Sequence, residues 1–196
     1  LFGLDTAVIS GAEKAIQDLY RLSDPMHGFT VAIALIGTVV GAFSAGFPAE
    51  IYGRKKVLIA IALLFGISAM GCAIAPFWLF LVTARFIGGL AIGASSVIGP
   101  MYIAEIAPPE TRGRLVALFQ FNIVLGIFIA FYSNYLLAGI GENAWRWMLG
   151  VVSVPAFIFF VLAFLIPDSP RWLVKKRRID EARSVLIRCG RPEVEK

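Results

Sequence analysis

Residues 57–75 form the stretch VLIAIALLFGISAMGCAIA, in which no side chain carries a charge. At about 1.5 Å per residue, a helix of this length crosses nearly all of the roughly 30 Å hydrocarbon core of a bilayer. A helix on the surface of a soluble domain would instead carry charged residues along one face. The stretch therefore predicts a membrane-spanning helix, which follows the basic turn GRKK (53–56) and ends at Pro76.

The sequence on either side of this helix contains further apolar stretches separated by short polar turns. The whole chain is 59% hydrophobic and 16% charged, against about 45–50% and about 25% in soluble domains. Residues 1–12 are apolar but too short to span, so we interpret them as the end of a first helix whose start is missing. Residues 13–28 are polar and predict a loop. The other complete spans are predicted at 29–50, 77–105, 115–138 and 145–166.

The predicted fold is an all-α membrane protein in two parts. Residues 1–167 form a transmembrane bundle of six helices, the first of them partial. Residues 168–196 are charged and predict a cytoplasmic linker segment with a short amphipathic helix at 178–189.

The lysines and arginines predict how the bundle is oriented. If the spans alternate in direction, fourteen of these residues fall on one side, in the 53–56 turn, the 107–114 turn and the tail. The other side has only Lys14, Arg21 and Arg146. Because Lys and Arg accumulate in cytoplasmic loops, we expect a multi-pass protein of the cell membrane with both the N-terminus and the C-terminal tail in the cytoplasm.

Several other classes of function lack support in the sequence. The net charge of +5 comes from clusters between apolar stretches, which indicates membrane topology rather than nucleic-acid binding. The two cysteines, Cys72 and Cys189, lie too far apart in this topology to form a disulfide, and we expect no metal site and no cofactor. His27 is interpreted as a solvated loop residue. No nucleophile, phosphate loop or metal-ligand spacing indicates an enzyme.

The polar residues within the spans predict which helices face lipid. Polar side chains in hydrocarbon must face protein or water. The spans 57–75 and 145–166 have few of them, so we expect these two to face lipid. The first, fourth and fifth helices carry more polar side chains, so we expect these three to line a hydrated space.

Asp5 and Arg85 are charged residues within predicted spans. Each lies about eight residues from the outer end of its helix, hence about 12 Å below the outer surface. Burying either alone costs at least about 2.5–3.5 kcal/mol, so matched depth and opposite sign make them candidate partners. Separating such a pair in a dry site would favour protonation of the aspartate, as a proton-coupled switch requires. The alternative is a static ion pair that joins the two helices.

Gln120 is the candidate ligand for a substrate. Its amide offers both donors and acceptors, which suits a sugar hydroxyl. Gln120, Ile127 and Asn134 share one face of the fifth span at intervals of seven residues. A hydrogen bond between helices is the alternative explanation for Gln120, and the residues alone favour it.

A third set of charged residues lies at the predicted inner ends of the helices. Alternating access needs contacts that form in one state and break in the other, and charge pairs here could supply them. Anchoring by positive charge explains the basic residues but not the acidic ones. The set comprises Glu50, Arg54, Lys55, Glu105, Arg112, Asp168 and Arg171.

Five motifs together resemble the sugar porter family of the major facilitator superfamily, and in particular its bacterial proton-coupled pentose and hexose symporters. Their order and spacing cover nearly the whole chain. The motifs are FGLDTAVISGA (2–12), ExYGRK (50–55), RFIGGLAIG (85–93), GPMYIAEIAPPETRGRL (99–115) and PDSPRWL (167–173).

The resemblance implies roles for individual residues. Asp5 matches the family's proton-linked aspartate and Arg85 its partner in the fourth helix, whereas passive facilitators commonly have Asn at the aspartate position. Gln120 and Phe2 match residues that contact sugar. Arg54, Glu105, Arg112 and Arg171 match a cytoplasmic gate.

Three positions depart from the family pattern. Asp168 replaces the usual Glu, Glu50 replaces the usual Asp, and Ile127 stands where some relatives have a second glutamine. The last difference leaves the identity of the sugar open.

The resemblance implies half of a secondary-active transporter that moves a monosaccharide by alternating access, with a proton as the coupling ion. A passive facilitator and a non-transporting sugar sensor are the alternatives. Family members have two six-helix halves with the sugar between them, so we expect a missing C-terminal half as a partner within the bilayer.

Overall fold

A computed structural model describes residues 1–189, and this part of the chain contains ten helices and no strand. The helices are α1 (Phe2–Tyr20), α2 (Asp24–Ser44), α3 (Gly46–Tyr52), α4 (Arg54–Ile74), α5 (Trp78–Ile106), α6 (Pro109–Leu137), α7 (Ala144–Gly150), α8 (Ser153–Leu165), α9 (Pro170–Lys175) and α10 (Ile179–Arg188). Five segments are long and apolar enough to cross a membrane: α2, α4, α5, α6, and α7 together with α8.

The prediction of a loop at 13–28 is wrong for most of its length. α1 continues to Tyr20 and α2 already begins at Asp24. Residues 13–20 are polar in composition, but Ile16 continues the stripe of Val8 and Ala12 and is buried with them. The helix ends where Arg21 adopts a left-handed conformation. Pro25 lies in the first turn of α2, where its missing N–H costs nothing.

The predicted span 29–50 consists of two helices. The helix is interrupted at Ala45, although this residue keeps a right-handed helical conformation, so that α3 is a separate short helix. The predicted turn at 53–56 reduces to Gly53, whose φ of 92° suits glycine. A Cβ at Gly53 would lie 3.1 Å from the Trp172 ring, so the glycine also permits α9 to pack there.

Two hydrophobic clusters hold the bundle together at opposite ends. One contains Ile16, Leu81 and Trp145, and the other contains Ile61, Phe65 and Ile98. Hydrogen bonds from Tyr20 to the Ala75 carbonyl and from Trp78 to Thr30 join the helices at the first end. The end of α1 therefore lies beside the end of α4, and the start of α2 lies beside the start of α5. This is the arrangement expected if successive spans run in opposite directions.

Glycines bring α2 and α5 into close contact. A Cβ at Gly89 or Gly93 would overlap backbone atoms of α2 at Ala34 and Thr38, and a Cβ at Gly37 or Gly41 would overlap the backbone of α5. On each helix the two glycines are four residues apart, a spacing of small residues that permits close helix contact.

The prediction that 57–75 faces lipid is wrong in part. α4 packs against α5 on one side and against α7 and α8 on the other, and it buries Ile61 and Phe65. α6 is the most exposed of the five spans, with only Gly126, Ala130 and Asn134 buried.

The linker segment contains one helix more than predicted. α9 precedes α10, and the two pack through Trp172, Leu173, Ala182 and Val185. The predicted amphipathic helix at 178–189 corresponds to α10. Arg191 and Lys196, which contribute to the predicted tail charge, lie outside the described residues. The division into bundle and linker at residue 167 stays a prediction.

Candidate transport site

Asp5 and Arg85 are both buried where α1 meets α5, with 6% and 4% of their surfaces exposed. The two charges lie within electrostatic range of each other. In the described part of the chain, however, no ion pair within 4.0 Å joins them. The Arg85 Nε is buried without a hydrogen-bond acceptor. The structure thus brings the predicted partners together but leaves a gap between them.

Residues of α4 complete the surroundings of Asp5. A Cβ at Gly88 would lie 3.4 Å from Asp5 Oδ2 and 2.5 Å from Ser68 Oγ, so the absence of a side chain at Gly88 leaves room for both groups. Ser68 is buried, and the buried Cys72 lies within electrostatic range of Asp5 and Arg85. Both residues belong to the span 57–75, which the sequence predicts to face lipid, and their interval of four residues, which places them on one face, is the available signal.

Phe2 and Gln120 lie on neighbouring helices. Gly3 packs directly against the backbone of α6 at Ile123, so α1 and α6 are in close contact one turn from Gln120. Phe2 is half-buried and lines two cavities, one toward Thr38 and Arg85 and one toward Phe65 and Asn122. Gln120 is exposed and has no hydrogen-bond partner among the described residues. The amide is therefore available to a ligand rather than used between helices.

Asn134 has a different environment from Gln120, although both lie on α6. Its Nδ2 donates to the Val8 carbonyl oxygen at 3.0 Å, and Gly11 permits this close approach. Ile127, which shares the predicted face, is half-buried. The hydrogen bond between helices that we considered for Gln120 is made by Asn134 instead.

Glu105 is the centre of the contacts at the end of the bundle where α4 begins. Arg54 donates to its Oε1 at 2.9 Å, and the Ser169 hydroxyl donates to its Oε2 at 2.5 Å. Arg54 also donates to the Ala49 carbonyl oxygen. Both charged side chains are more than nine-tenths buried. The ion pair joins α4 to α5, and the hydrogen bonds to Ala49 and from Ser169 add α3 and the linker.

Glu50 contacts the linker segment directly. Lys175 donates to Glu50 Oε2 at 3.0 Å, and the Trp172 indole donates to the Glu50 backbone carbonyl at 3.2 Å. The hydrogen bond from Lys175 lowers the pKa of the Glu50 carboxyl from its ordinary value. The pair therefore stays ionised until the pH falls through that lowered value, at which point the attraction is lost.

Two further hydrogen bonds connect the spans to one another at this end. Lys55 donates to the Phe164 carbonyl oxygen at 2.9 Å, and Tyr102 donates to the Pro167 carbonyl oxygen at 2.8 Å. Lys55 thus joins α4 to the end of α8.

The remaining predicted gate residues make fewer contacts. Arg171 is exposed beside a small cavity lined also by Glu50 and Arg54. Arg112 is exposed and forms no ion pair in the described part of the chain. Asp168, a member of the set predicted to form charge pairs, has one buried oxygen without a hydrogen-bond donor and forms no ion pair within 4.0 Å in residues 1–189.

Sequence reasoning missed Ser169, Trp172, Lys175 and Tyr102 in this network. Ser169 had a recognisable signal, because Ser followed by Pro is typical of a helix start. Its hydroxyl caps α9 by accepting from the Trp172 N–H at 3.5 Å. The other three have no local signal, since their partners lie 65 or more residues away in the sequence.

His27 differs from its prediction as a solvated loop residue. It lies in α2, and its Nε2 is 3.0 Å from Glu13 Oε1 of α1. This contact joins the two helices at the end opposite Glu105.

A model of the family described as sugar (and other) transporters matches residues 1–196. The chain belongs to this family. An arabinose-proton symporter of Bacillus subtilis is 42% identical over the whole chain, which covers 44% of that relative. A glucose transport protein of Synechocystis is 45% identical over 95% of the chain and 42% of the relative.

The fold of this sugar transporter family member is that of the N-terminal half of the major facilitator fold, as predicted. The proton:xylose symporter XylE, bound to 6-bromo-6-deoxy-D-glucose, superposes on 99% of the chain with a TM-score of 0.93 and 33% identity. The superposition covers 48% of that structure. The chain thus spans less than half the length of each of these relatives.

Proposed function

We propose that this chain is the proton-handling half of a secondary-active symporter, which moves a monosaccharide across the membrane by alternating access. The observation that carries the proposal is the buried pair of opposite charges, Asp5 and Arg85, held close together without direct contact. A carboxylate in this position can be neutralised by a proton without the loss of a formed ion pair. Two of the similar proteins named above are described as proton symporters.

The sugar would contact Phe2 and Gln120 on this half. The exposed Gln120 amide can both donate to and accept from a sugar hydroxyl. Further contacts would come from a second six-helix half, since the relatives are more than twice as long as this chain. The reading frame that continues beyond residue 196 should encode six further spans, and a frame without them would overturn this part of the proposal.

The contacts around Glu105 would form a gate on the cytoplasmic side. These contacts surround one buried ion pair and join four elements. If the contacts were broken, the spans could separate at this end. The basic residues at the same end support a cytoplasmic location for it. We therefore place the N-terminus and the linker in the cytoplasm. No cofactor enters this mechanism.

Replacing Asp5 by Asn in the full-length protein tests proton coupling. In proteoliposomes with an imposed proton gradient, Asp5→Asn should abolish uphill sugar accumulation while sugar counterflow continues, because the amide keeps the shape but cannot take up the proton. Asp18→Asn is the matched control, since Asp18 is exposed on the same helix. If Asp5→Asn accumulates sugar as the control does, the protein is a passive facilitator or couples elsewhere. If neither variant moves sugar, a sensor is favoured.

A further inference from the structure

The turn between α9 and α10 concentrates positive charge. Residues 175–178, which we call the basic turn, are all Lys or Arg, and all four side chains are exposed. Residues 174–189 contain six basic residues against two acidic ones. Lys176 and Arg177 form no ion pair within 4.0 Å in the described part of the chain. The basic turn therefore carries positive charge that the described residues do not neutralise.

One face of α10 continues this surface with apolar side chains. Ile179, Arg183 and Ile187 follow one another at intervals of four residues, so they share one side of the helix, which we call the α10 face. Ile179 is 64% exposed and Ile187 is 39% exposed, whereas Ala182 and Val185 are buried against α9. The α10 face is thus separate from the side that packs the helix onto α9. An excess of basic residues in a cytoplasmic segment explains the charge here, but not the exposed isoleucines beside it.

Contacts with the bundle hold the basic turn at the level where a span ends. Lys175, its first residue, donates to Glu50 Oε2 at 3.0 Å, and the Trp172 indole donates to the Glu50 backbone carbonyl oxygen at 3.2 Å. Glu50 lies only four residues before Arg54, the first residue of the span α4. The headgroup layer on each side of the hydrocarbon core is about 5–8 Å thick. The basic turn therefore lies beside the headgroups of the adjacent leaflet.

We propose that the basic turn and the α10 face bind anionic phospholipids of the adjacent leaflet, which is the cytoplasmic leaflet in the proposed orientation. The Lys and Arg side chains attract the phosphate groups of that leaflet. The exposed isoleucines enter the boundary between headgroups and acyl chains, as the apolar side chains of an interfacial helix do. An anionic bilayer offers negative charge and apolar material together, which this surface requires. The binding does not depend on proton coupling or on sugar.

Fluorescence from α10 tests this binding in the full-length protein reconstituted into nanodiscs. Ile179→Cys, in a background without other cysteines, carries the polarity-sensitive fluorophore NBD. Its emission should increase at least about twofold when about 30% of the phosphatidylcholine is replaced by phosphatidylglycerol, because the label moves from water into the interface. Ile187→Cys should show the same increase. Ser184→Cys is the matched control and should not change, since Ser184 is exposed on the same helix but lies about 100° around it from Arg183.

The role of charge is tested by combining Lys176→Gln with Arg177→Gln, which leaves the ion pairs of the neighbouring basic residues in place. The double variant should lose most of the increase at Ile179→Cys, and so should the unchanged basic turn at about 1 M salt, where charges are screened within about 3 Å. Weak emission in both lipid mixtures would show that the α10 face stays in water, and strong emission in both would show that another part of the protein covers it. Either result overturns the proposal, as does an increase that survives both the double variant and the salt.

Discussion

At the scale of single residues, Glu105 connects several elements at the end of the bundle where α4 begins. One of its oxygens accepts from Arg54 and the other accepts from Ser169, so a single carboxylate connects the start of α4 to the start of α9. Arg54 is 7% exposed, and its Nε has no hydrogen-bond partner among the described residues. Glu105 therefore supplies the direct ion pair of a buried charge.

Replacing Glu105 by Ala should destabilise the protein strongly. Removing one partner of a buried ion pair costs about 3–5 kcal/mol, because the other charge is left buried and unpaired. Glu110→Ala is the matched control, since Glu110 is exposed in the first turn of α6, five residues further along. The thermal unfolding midpoint in detergent should fall for Glu105→Ala and stay near the wild-type value for Glu110→Ala. Equal midpoints for the two variants would mean that the Glu105 contacts contribute little to stability.

At the scale of helices, local composition predicted the spans but not the ends of all helices. The five long apolar segments are each recognisable because nothing but a membrane helix accounts for them. The polar residues 13–20 gave no such signal, and their helix depends on packing of Ile16 against other helices. The break at Ala45 has no strong marker, since the apolar character continues through it.

The same limit applied to the candidate site. Asp5, Arg85 and Gln120 were recognisable because charges and amides are rare within spans. The distances between these residues could not be predicted from the sequence, because the spacing between Asp5 and Arg85 depends on how α1 and α5 pack. The linker contacts of Trp172 and Lys175 likewise arise only once α9 folds back against α3.

The glycine contact between α2 and α5 should be sensitive to added volume. A Cβ at Gly93 would overlap the Thr38 carbonyl oxygen and lie 2.7 Å from the Ala42 nitrogen, so Gly93→Ala forces these helices apart. Such overpacking typically costs about 1–3 kcal/mol. Gly28→Ala on α2 is the control, because nothing lies within 4 Å of a Cβ there. Gly93→Ala should lower the unfolding midpoint and Gly28→Ala should not. A normal midpoint for Gly93→Ala would show that the helices separate without cost.

At the scale of the whole molecule, the two ends of the bundle differ in chemistry. The end with Glu105 carries an ion-pair network, most of the basic residues and the linker. The opposite end is held mainly by hydrogen bonds from aromatic side chains, which run from Tyr20 to the Ala75 carbonyl oxygen and from Trp78 to the Thr30 hydroxyl. Arg146 there donates to the Ala73 carbonyl oxygen. This asymmetry is consistent with a charged cytoplasmic gate and a less charged outer face.

The proposed orientation can be measured at the two ends of α6. Gly113 and Gly139 lie near its beginning and just beyond its end, and neither has an atom within 4 Å of a Cβ, so a cysteine fits at both positions. With Cys189 replaced by Ser, an impermeant maleimide added to intact cells should label Gly139→Cys and not Gly113→Cys. Gly113→Cys should be labelled only after permeabilisation, because the proposed orientation puts the turn that contains Arg112 and Arg114 in the cytoplasm. The reverse pattern would invert the bundle and place the Glu105 contacts on the outer side, where they could not form the cytoplasmic gate.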